Sequence, residues 1–205
     1  MLRYIYGHDL SHHPRLADSM FRDRAAQFRD RLKWDVQIDH NGHERDEYDA
    51  LDPLYVIWEG ADGSHGGSMR FLPTIGRTMV AEHFAHLTNG VSIASPLIWE
   101  CTRFCVSQHA DRQVSAALVL GAGEIMEAFH LRHFIGVFDA RMVRIYQRLK
   151  VEPDIIGRSG NGRGVIAVGL WEMKEQAWAG TLERVGVCRE TSQQWLRDSL
   201  RRSFS

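Results

Sequence analysis

One short segment places the strongest constraint on how this chain can fold. Ile98 to Val106 has the apolar composition of a buried strand, yet Glu100 and Arg103 lie inside it. Charged side chains are seldom buried without a partner. Residues three apart in a regular strand face opposite sides, so both charges can reach one cleft only if a bulge near Cys101 and Thr102 re-aims them. That bulge is our prediction, and the alternative is an ordinary edge strand.

Apolar periodicity predicts strands alternating with helices around this segment. Further strands are predicted at Leu2 to Tyr6, Leu54 to Glu59, Ser68 to Leu72, Phe134 to Phe138, Asp154 to Gly157 and Val165 to Glu172. Helices are predicted from Ser11 to about Arg31, Ala110 to Arg132, Asp139 to Lys150, Met173 to about Arg184 and Glu190 to Leu200. This order lacks the regular period of a doubly wound fold, so we expect a mixed sheet with helices packed on it.

The charge balance argues against two classes of partner. With 25 Lys and Arg against 26 Asp and Glu, the formal net charge is −1, whereas nucleic-acid binding needs an excess of cations on one face. No long uncharged apolar run occurs and the first ten residues do not have the pattern of a signal peptide, so we expect no membrane insertion.

Three cysteines suit a reducing, cytoplasmic location, and 205 residues suit a single domain, 1–205.

Several charged residues are candidates for a buried network. Arg24 lies on or beside the apolar stripe of the first helix, where a guanidinium requires carboxylates. The long polar connection from 35 to 52 offers Asp46, Glu47 and Asp49. Arg70, in the strand that follows, could complete the network. The alternative is a solvated arginine beside an acidic surface loop.

Two further groups could contact ligands or partners. Phe28 and Trp34 bracket the exit of the first helix, where they could form an apolar or cation-attracting wall or simply belong to the core. The helix after Asp139 carries a stripe of cations that could dock an acidic partner or be a solvated face: Arg141, Arg144, Arg148 and Lys150.

The sequence contains residue types that can bind a metal ion, but their spacing does not suit a shared site. His83 and His86 could be combined with Cys101 and Cys105. A strand rises about 3.3 Å per residue, so the two thiols would lie roughly 13 Å apart, too far to share one zinc ion. We therefore expect no metal site.

The ordered set of candidates resembles the acyl-homoserine-lactone (autoinducer) synthase family across the N-terminal half. It comprises Arg24, Phe28, Trp34, Asp46, Asp49, Arg70, Phe84, Glu100 and Arg103, and a weaker likeness reaches Lys150 through Val137-Phe138-Asp139 and Arg144 to Arg148. The resemblance implies a three-layer α/β/α sandwich related to N-acetyltransferases, with a mixed central sheet. It also implies that S-adenosylmethionine is a consumed substrate and not a cofactor, with acyl carrier protein or acyl-CoA as the acyl donor.

The resemblance also implies roles for the residues. Glu100 would be the general base and Arg103 would hold the methionyl carboxylate. The S-adenosylmethionine pocket would be shaped by Phe28, Trp34, Phe84 and Arg103, the supporting network by Arg24, Asp46, Asp49 and Arg70, the acyl pocket by Phe138 and Thr102, and carrier-protein docking by Arg141, Arg144, Arg148 and Lys150. Members that make 3-oxo signals often carry Thr at the position of Phe138, so we expect an acyl chain without a 3-oxo group.

Two rival functions are compatible with such a scaffold. One is an N-acetyltransferase that uses acetyl-CoA on a small amine, although the junction from Ser107 to Ser115 lacks the Gly-rich signature of those enzymes. The other is a non-catalytic ligand-binding or sensor domain. In a sensor domain, Glu100 and Arg103 would have only a structural role.

Overall fold

The computed structural model describes residues 1–172 and 175–203, which form one seven-stranded sheet with helices on both faces. The strands are β1 (Leu2–Tyr6), β2 (Leu54–Glu59), β3 (His65–Pro73), β4 (Ile98–Val106), β5 (His133–Asp139), β6 (Asp154–Ser159) and β7 (Ile166–Trp171). The helices are α1 (Pro14–Ala25), α2 (Met79–His83), α3 (Val114–Ala128), α4 (Ala140–Leu149), α5 (Glu175–Val185) and α6 (Arg189–Ser203). The predicted helix start at Met173 lies outside the described residues.

The sheet is mixed, and its single parallel pair creates an opening. The strand order is β1-β2-β3-β4-β5-β7-β6, and every neighbouring pair except β4 with β5 is antiparallel. The parallel pair joins only Ile98, Trp99 and Glu100 to His133, Phe134 and Ile135. Beyond these three positions the two strands are no longer partners, which leaves a gap in the middle of the sheet.

The predicted bulge is present in β4, immediately after the expected residues Cys101 and Thr102. Ser68 pairs with Cys105 and Arg70 with Thr102, so one residue of β3 opposes two residues of β4. The extra residue is Arg103, whose φ of 54° lies in the left-handed region. A bulge of this kind interrupts the alternation of side chains. It therefore places Glu100 and Arg103 on the same side of the sheet.

The core is built on both faces of the sheet, which confirms the predicted three layers. On one face, α1 packs Leu16, Met20 and Phe21 against Tyr55 and Ile57 of β2. On the other face, the almost wholly apolar α3 lies close to the strands. A Cβ atom on its Gly121 would come within 2.6 Å of Val56, so glycine permits this approach.

Helix boundaries differ from the sequence prediction where local geometry intervenes. The first helix is preceded by a 3₁₀ turn, Gly7–His12, and ends in a π-helical segment, Ala26–Arg31. Helix α3 is shorter than predicted and stops before His130, which has a φ of 53°. Helix α2 was not predicted, because five residues are too few to show helical periodicity. Among the described residues, no helix is long and apolar enough to span a membrane.

Candidate functional site

A cavity of about 900 Å³ lies at the gap between β4 and β5 and is lined by residues from both faces of the sheet. The polar chamber, on the α1 and α2 face, is lined by Phe28, Trp34, Glu44, Asp46, Met79, His83, Phe84 and Arg103. The apolar chamber, on the α3 face, is lined by Met69, Cys101, Val119, Ala122, Met126, Phe134, Phe138, Ile145, Tyr146, Val151 and Trp171. A cavity of this size can enclose a small molecule and part of a second one.

A buried charge network supports the polar chamber. Arg24 donates from Nε to Glu44 at 2.6 Å and from both terminal nitrogens to Asp49 at 2.9 Å. Arg70 donates to Asp46 through both terminal nitrogens and to Asp49 at 2.8 Å. Both arginines are essentially buried, at 1% and 0% exposure. The predicted association of Arg24, Asp46, Asp49 and Arg70 is therefore present.

Electrostatics hold this network in its charged form. Burial alone would raise the pKa of Asp49, but the charges of Arg24 and Arg70 outweigh it and hold that pKa far below its ordinary value. The same competition, with Arg70 and Arg103 as the cations, lowers the pKa of Asp46. Buried charges of this kind are tolerated because each is paired and hydrogen-bonded.

Local sequence explains why two of the carboxylates face inward. Asp46 begins the 3₁₀ turn Glu47–Ala50, and its side chain accepts hydrogen bonds from the backbone N–H groups of Tyr48 and Asp49. In return, Asp49 accepts the backbone N–H of Asp46. This reciprocal capping fixes both carboxylates at one end of the turn.

Arg103 joins the network and also reaches the polar chamber. Its Nε donates to Glu44 at 3.1 Å, and its Nη2 forms ion pairs with the same oxygen of Glu44 at 3.0 Å and with Asp46 at 2.7 Å. Its guanidinium is 5.4 Å from the centre of the Phe28 ring. Among the described residues, the Met79 sulfur, at 4.0 Å, is the only neighbour of Nη1 in a hydrogen-bond geometry. The edge formed by Nε and Nη2 is thus engaged by Glu44 and Asp46, and no carboxylate among the described residues pairs with Nη1, which is available to a ligand.

Glu100 lies one layer behind the cavity wall. Its carboxylate is 1% exposed and accepts the backbone N–H groups of Met79 at 3.0 Å and Val80 at 2.6 Å. Burial raises the pKa of Glu100, and these two hydrogen bonds oppose that rise. Glu100 therefore holds the first turn of α2, whose Met79 lines the polar chamber. Its role as a base stays a prediction.

The predicted aromatic wall is assembled in the polar chamber. Phe28 and Trp34 stack with ring centres 5.1 Å apart and planes at 11°. Phe84, immediately after α2, also lines this chamber. The chamber therefore offers an aromatic stack and a guanidinium close together, which suits a ligand that carries both a positive charge and a carboxylate.

Phe138 and Thr102, assigned together to the acyl pocket, lie in different surroundings. Phe138 contacts Tyr146 and Trp171 edge to face, with ring centres 5.3 and 5.5 Å away, in the apolar chamber. Thr102 lines the cavity at the gap, where its Oγ1 accepts a hydrogen bond from Arg70 at 3.0 Å. The apolar chamber is thus lined mainly by aromatic and aliphatic side chains.

The cationic stripe on α4 is exposed. Arg141 lines the cavity mouth and lies 3.6 Å from Asp139. Among the described side chains, no carboxylate pairs with Arg144, Arg148 or Lys150. These three cations are therefore available to an external partner.

Several site residues escaped the sequence analysis. Glu44, 0% exposed, joins Arg24 to Arg103, and the only signal for it was its place in the acidic connection. Glu47, predicted within the acidic group, takes no part in the network. It is exposed and lies 3.2 Å from His83, because it points outward from the 3₁₀ turn. Tyr146 and Met79 also line the cavity and were not predicted.

Comparisons of the sequence with a family model and with curated proteins point to the same family. The family model described as autoinducer synthase matches residues 7–191 of this chain. The chain is similar to an acyl-homoserine-lactone synthase from Rhizobium etli, with 39% identity over 180 residues that cover 84% of both chains. The region matched by the family model spans the charge network, the bulged strand and α4.

Solved structures extend the likeness at the level of the fold. BjaI, a CoA-dependent acyl-homoserine lactone synthase solved with SAM and isopentyl-CoA, matches with a TM-score of 0.80 and 19% identity, over 91% of this chain and 90% of that chain. An acyl-CoA N-acyltransferase from Pseudomonas aeruginosa matches with a TM-score of 0.53 and 15% identity, over 84% of this chain and 99% of that chain. The predicted relation to the N-acetyltransferase fold is confirmed.

Proposed function

This chain belongs to the autoinducer synthase family and is an acyl-homoserine-lactone synthase, and we propose that it takes its acyl chain from acyl carrier protein and prefers chains without a 3-oxo group. Its signal is made from S-adenosylmethionine and an acyl donor. The two preferences rest on the exposed arginines of α4, which suit an acidic carrier protein, and on the Phe138 ring, which has no hydrogen to donate to a 3-oxo group. The activity is supported by the cavity, in which a polar and an apolar chamber meet at the gap between β4 and β5. One chamber suits each substrate.

We assign S-adenosylmethionine to the polar chamber. Its sulfonium would lie against the Phe28 and Trp34 stack, and its carboxylate would accept a hydrogen bond from Nη1 of Arg103. The buried partners of Arg103 keep this guanidinium from moving. Binding therefore costs little rearrangement of the protein.

The first chemical step is amide formation. A free α-amino group has a pKa of about 7.7–8.0, and only its neutral form attacks a thioester. Glu100 would take the proton through a water molecule, since Met79 and Thr102, its neighbours on this side of the sheet, both line the cavity. The new N–C bond displaces the donor thiol, and backbone N–H groups at the bulge would stabilise the oxyanion of the tetrahedral intermediate.

The second step closes the lactone. The methionyl carboxylate oxygen attacks its own γ-carbon, the bond from that carbon to the sulfonium breaks, and methylthioadenosine leaves with the bonding electron pair. No proton transfer is required, so the protein contributes mainly by holding the two ends together. Arg103 would release its hold on the carboxylate as this bond forms.

The product and donor are tested directly. The purified protein is incubated with S-adenosylmethionine and parallel sets of thioesters, on acyl carrier protein and on CoA, each with 3-oxo and 3-oxo-free chains, and products are measured by mass spectrometry. We expect a homoserine lactone formed faster from the carrier protein and from chains without the 3-oxo group. The absence of any acyl-homoserine lactone would contradict the activity, and faster turnover of CoA or 3-oxo substrates would contradict that part of the proposal.

We assign carrier-protein docking to the exposed cations of α4, for which the described side chains offer no carboxylate partner. Reversing two of them, in Arg144→Glu with Arg148→Glu, places like charges against an acidic partner. We expect kcat/KM to fall by about tenfold or more with acyl carrier protein thioesters and to stay within about twofold with the matching CoA thioesters.

A matched control separates docking from a general effect of charge. Arg15→Glu removes an equally exposed arginine on α1, which pairs with Asp62 at 3.0 Å. It should leave kcat/KM for both donors unchanged. An equal loss with both donors in the α4 variant would show that these cations do not serve carrier-protein docking.

A further inference from the structure

The apolar chamber contains a tyrosine hydroxyl that the proposed reaction does not use. Tyr146, on α4, lines this chamber and lies edge to face against Phe138 and Trp171, with ring centres 5.3 and 5.2 Å away. These contacts on two sides hold the ring in place. The described residues give its hydroxyl no hydrogen-bond partner.

The other polar side chains deep in this chamber are already engaged. Trp171 donates its indole N–H to the carbonyl of Val151 at 2.9 Å. The Cys101 thiol lies 3.7 Å from the Met69 sulfur. Among the described side chains deep in this chamber, Tyr146 is thus the hydrogen-bond donor that lacks an acceptor. Leaving a donor without a hydrogen bond in an apolar enclosure costs free energy.

The hydroxyl is in the right state to donate. Burial raises the pKa of Tyr146, and the nearby Cys101 and Asp139 act in the same direction. The phenol therefore stays neutral and keeps its hydrogen at any pH at which the enzyme operates.

Tyr146 lies close to the place where the thioester end of an acyl chain would be. A Cβ atom on Gly136, at the gap, would lie 3.4 Å from the Trp171 ring, and Tyr146 packs directly on that ring. One aromatic ring therefore separates Tyr146 from the gap where the thioester would react. A substituent on the first few carbons of the chain is within its reach.

Given the proposed function, on which this inference rests, we propose that Tyr146 is a specificity-determining residue whose hydroxyl donates a hydrogen bond to an oxygen on the acyl chain. The preferred donor then carries an oxygen substituent close to the thioester. Because Phe138 disfavours a 3-oxo group in the proposed function, we expect a hydroxyl substituent at that carbon. A site that hydrogen-bonds a substituent discriminates strongly against the chain that lacks it.

The test compares three thioesters of equal length on the same carrier: 3-hydroxyacyl, 3-oxoacyl and unsubstituted. We expect the wild-type kcat/KM to be about 10- to 100-fold higher for the 3-hydroxyacyl chain than for the unsubstituted one. In Tyr146→Phe this preference should fall to within about threefold, through a loss on the 3-hydroxyacyl chain alone. Met126→Leu is the matched control, since it changes the lining of the chamber but leaves the contacts of Tyr146 with Phe138 and Trp171 in place, and it should keep the preference.

Each alternative outcome has a distinct meaning. The role of Tyr146 would be overturned by equal wild-type kcat/KM values for the substituted and unsubstituted chains, or by an equal loss on both chains in Tyr146→Phe. Neither result would count against the synthase activity itself. A wild-type preference for the 3-oxoacyl chain that Tyr146→Phe removes would support the hydrogen bond and overturn the expectation based on Phe138. Failure to form any lactone would count against the proposed function instead.

Discussion

Glu100→Gln is expected to lower kcat by about 10²–10⁴-fold at saturating S-adenosylmethionine and acyl thioester, the usual contribution of a general base. The amide cannot accept the proton of the methionyl ammonium. The pKa of Glu100 is raised by its burial, which makes the carboxylate a better base than an exposed glutamate. The acidic limb of the kcat against pH profile should therefore lie above the ordinary glutamate range and disappear in the variant.

Glu100 also has a structural task, which the control must isolate. Its carboxylate accepts two N–H groups at the start of α2, and an amide oxygen can accept only one of them well. Thr78→Ala loosens the same turn without touching the acid, because Thr78 Oγ1 accepts the Ala81 N–H at 3.4 Å. We expect Thr78→Ala to raise KM for S-adenosylmethionine while kcat changes by only about twofold to threefold, since a cap contributes about 1 kcal/mol.

The comparison of the two variants decides the role of Glu100. A steep fall in kcat for Glu100→Gln alone supports the base. If both variants merely raise KM and keep the acidic limb, Glu100 is a positioning residue for α2 and another group must accept the proton.

Asp49→Asn is expected to lower the free energy of unfolding by about 3–5 kcal/mol, because it leaves two buried guanidinium groups short of a counter-charge. Asp49 accepts hydrogen bonds from Arg24, Arg70 and the Tyr55 hydroxyl, so the substitution removes a charged acceptor from all three groups. Urea unfolding at pH 7, with the midpoint and slope determined separately, measures this change.

An exposed pair provides the control for Asp49→Asn. Asp30 accepts a hydrogen bond from Arg29 at 2.6 Å, with both side chains about half exposed. Solvent screens such pairs, so Asp30→Asn should change stability by less than about 1 kcal/mol. A loss for Asp49→Asn no larger than that of the control would mean that the network contributes little beyond packing.

The effect of Asp49 should also depend on pH with a definite sign. Its folded-state pKa lies below its unfolded value of about 3.9, so the ionised carboxylate stabilises the folded state above that value. This contribution is lost as pH falls toward the folded-state pKa. The difference between the wild type and Asp49→Asn should hold constant from pH 7 to about pH 5 and shrink below about pH 4.

Local pattern was enough to predict much of the architecture. The bounds of β2 and β4 were predicted residue for residue, because each is an apolar run with clear ends. The charges at Glu100 and Arg103 inside β4 were enough to predict a bulge, since a regular strand cannot send both to one side. The ordered arginines, carboxylates and aromatics were enough to indicate the family.

Only the tertiary structure decided how these pieces meet. Arg103 reaches Glu44 across 59 positions of the chain, and no local pattern reports a contact of that range. The bulge falls at Arg103 because β3 sets the register of β4, and Glu100 faces α2 because that short helix packs against the sheet. The segment from Ile98 to Val106 thus determined by itself that a cleft must exist, while long-range packing decided which residues line that cleft and which support it from behind.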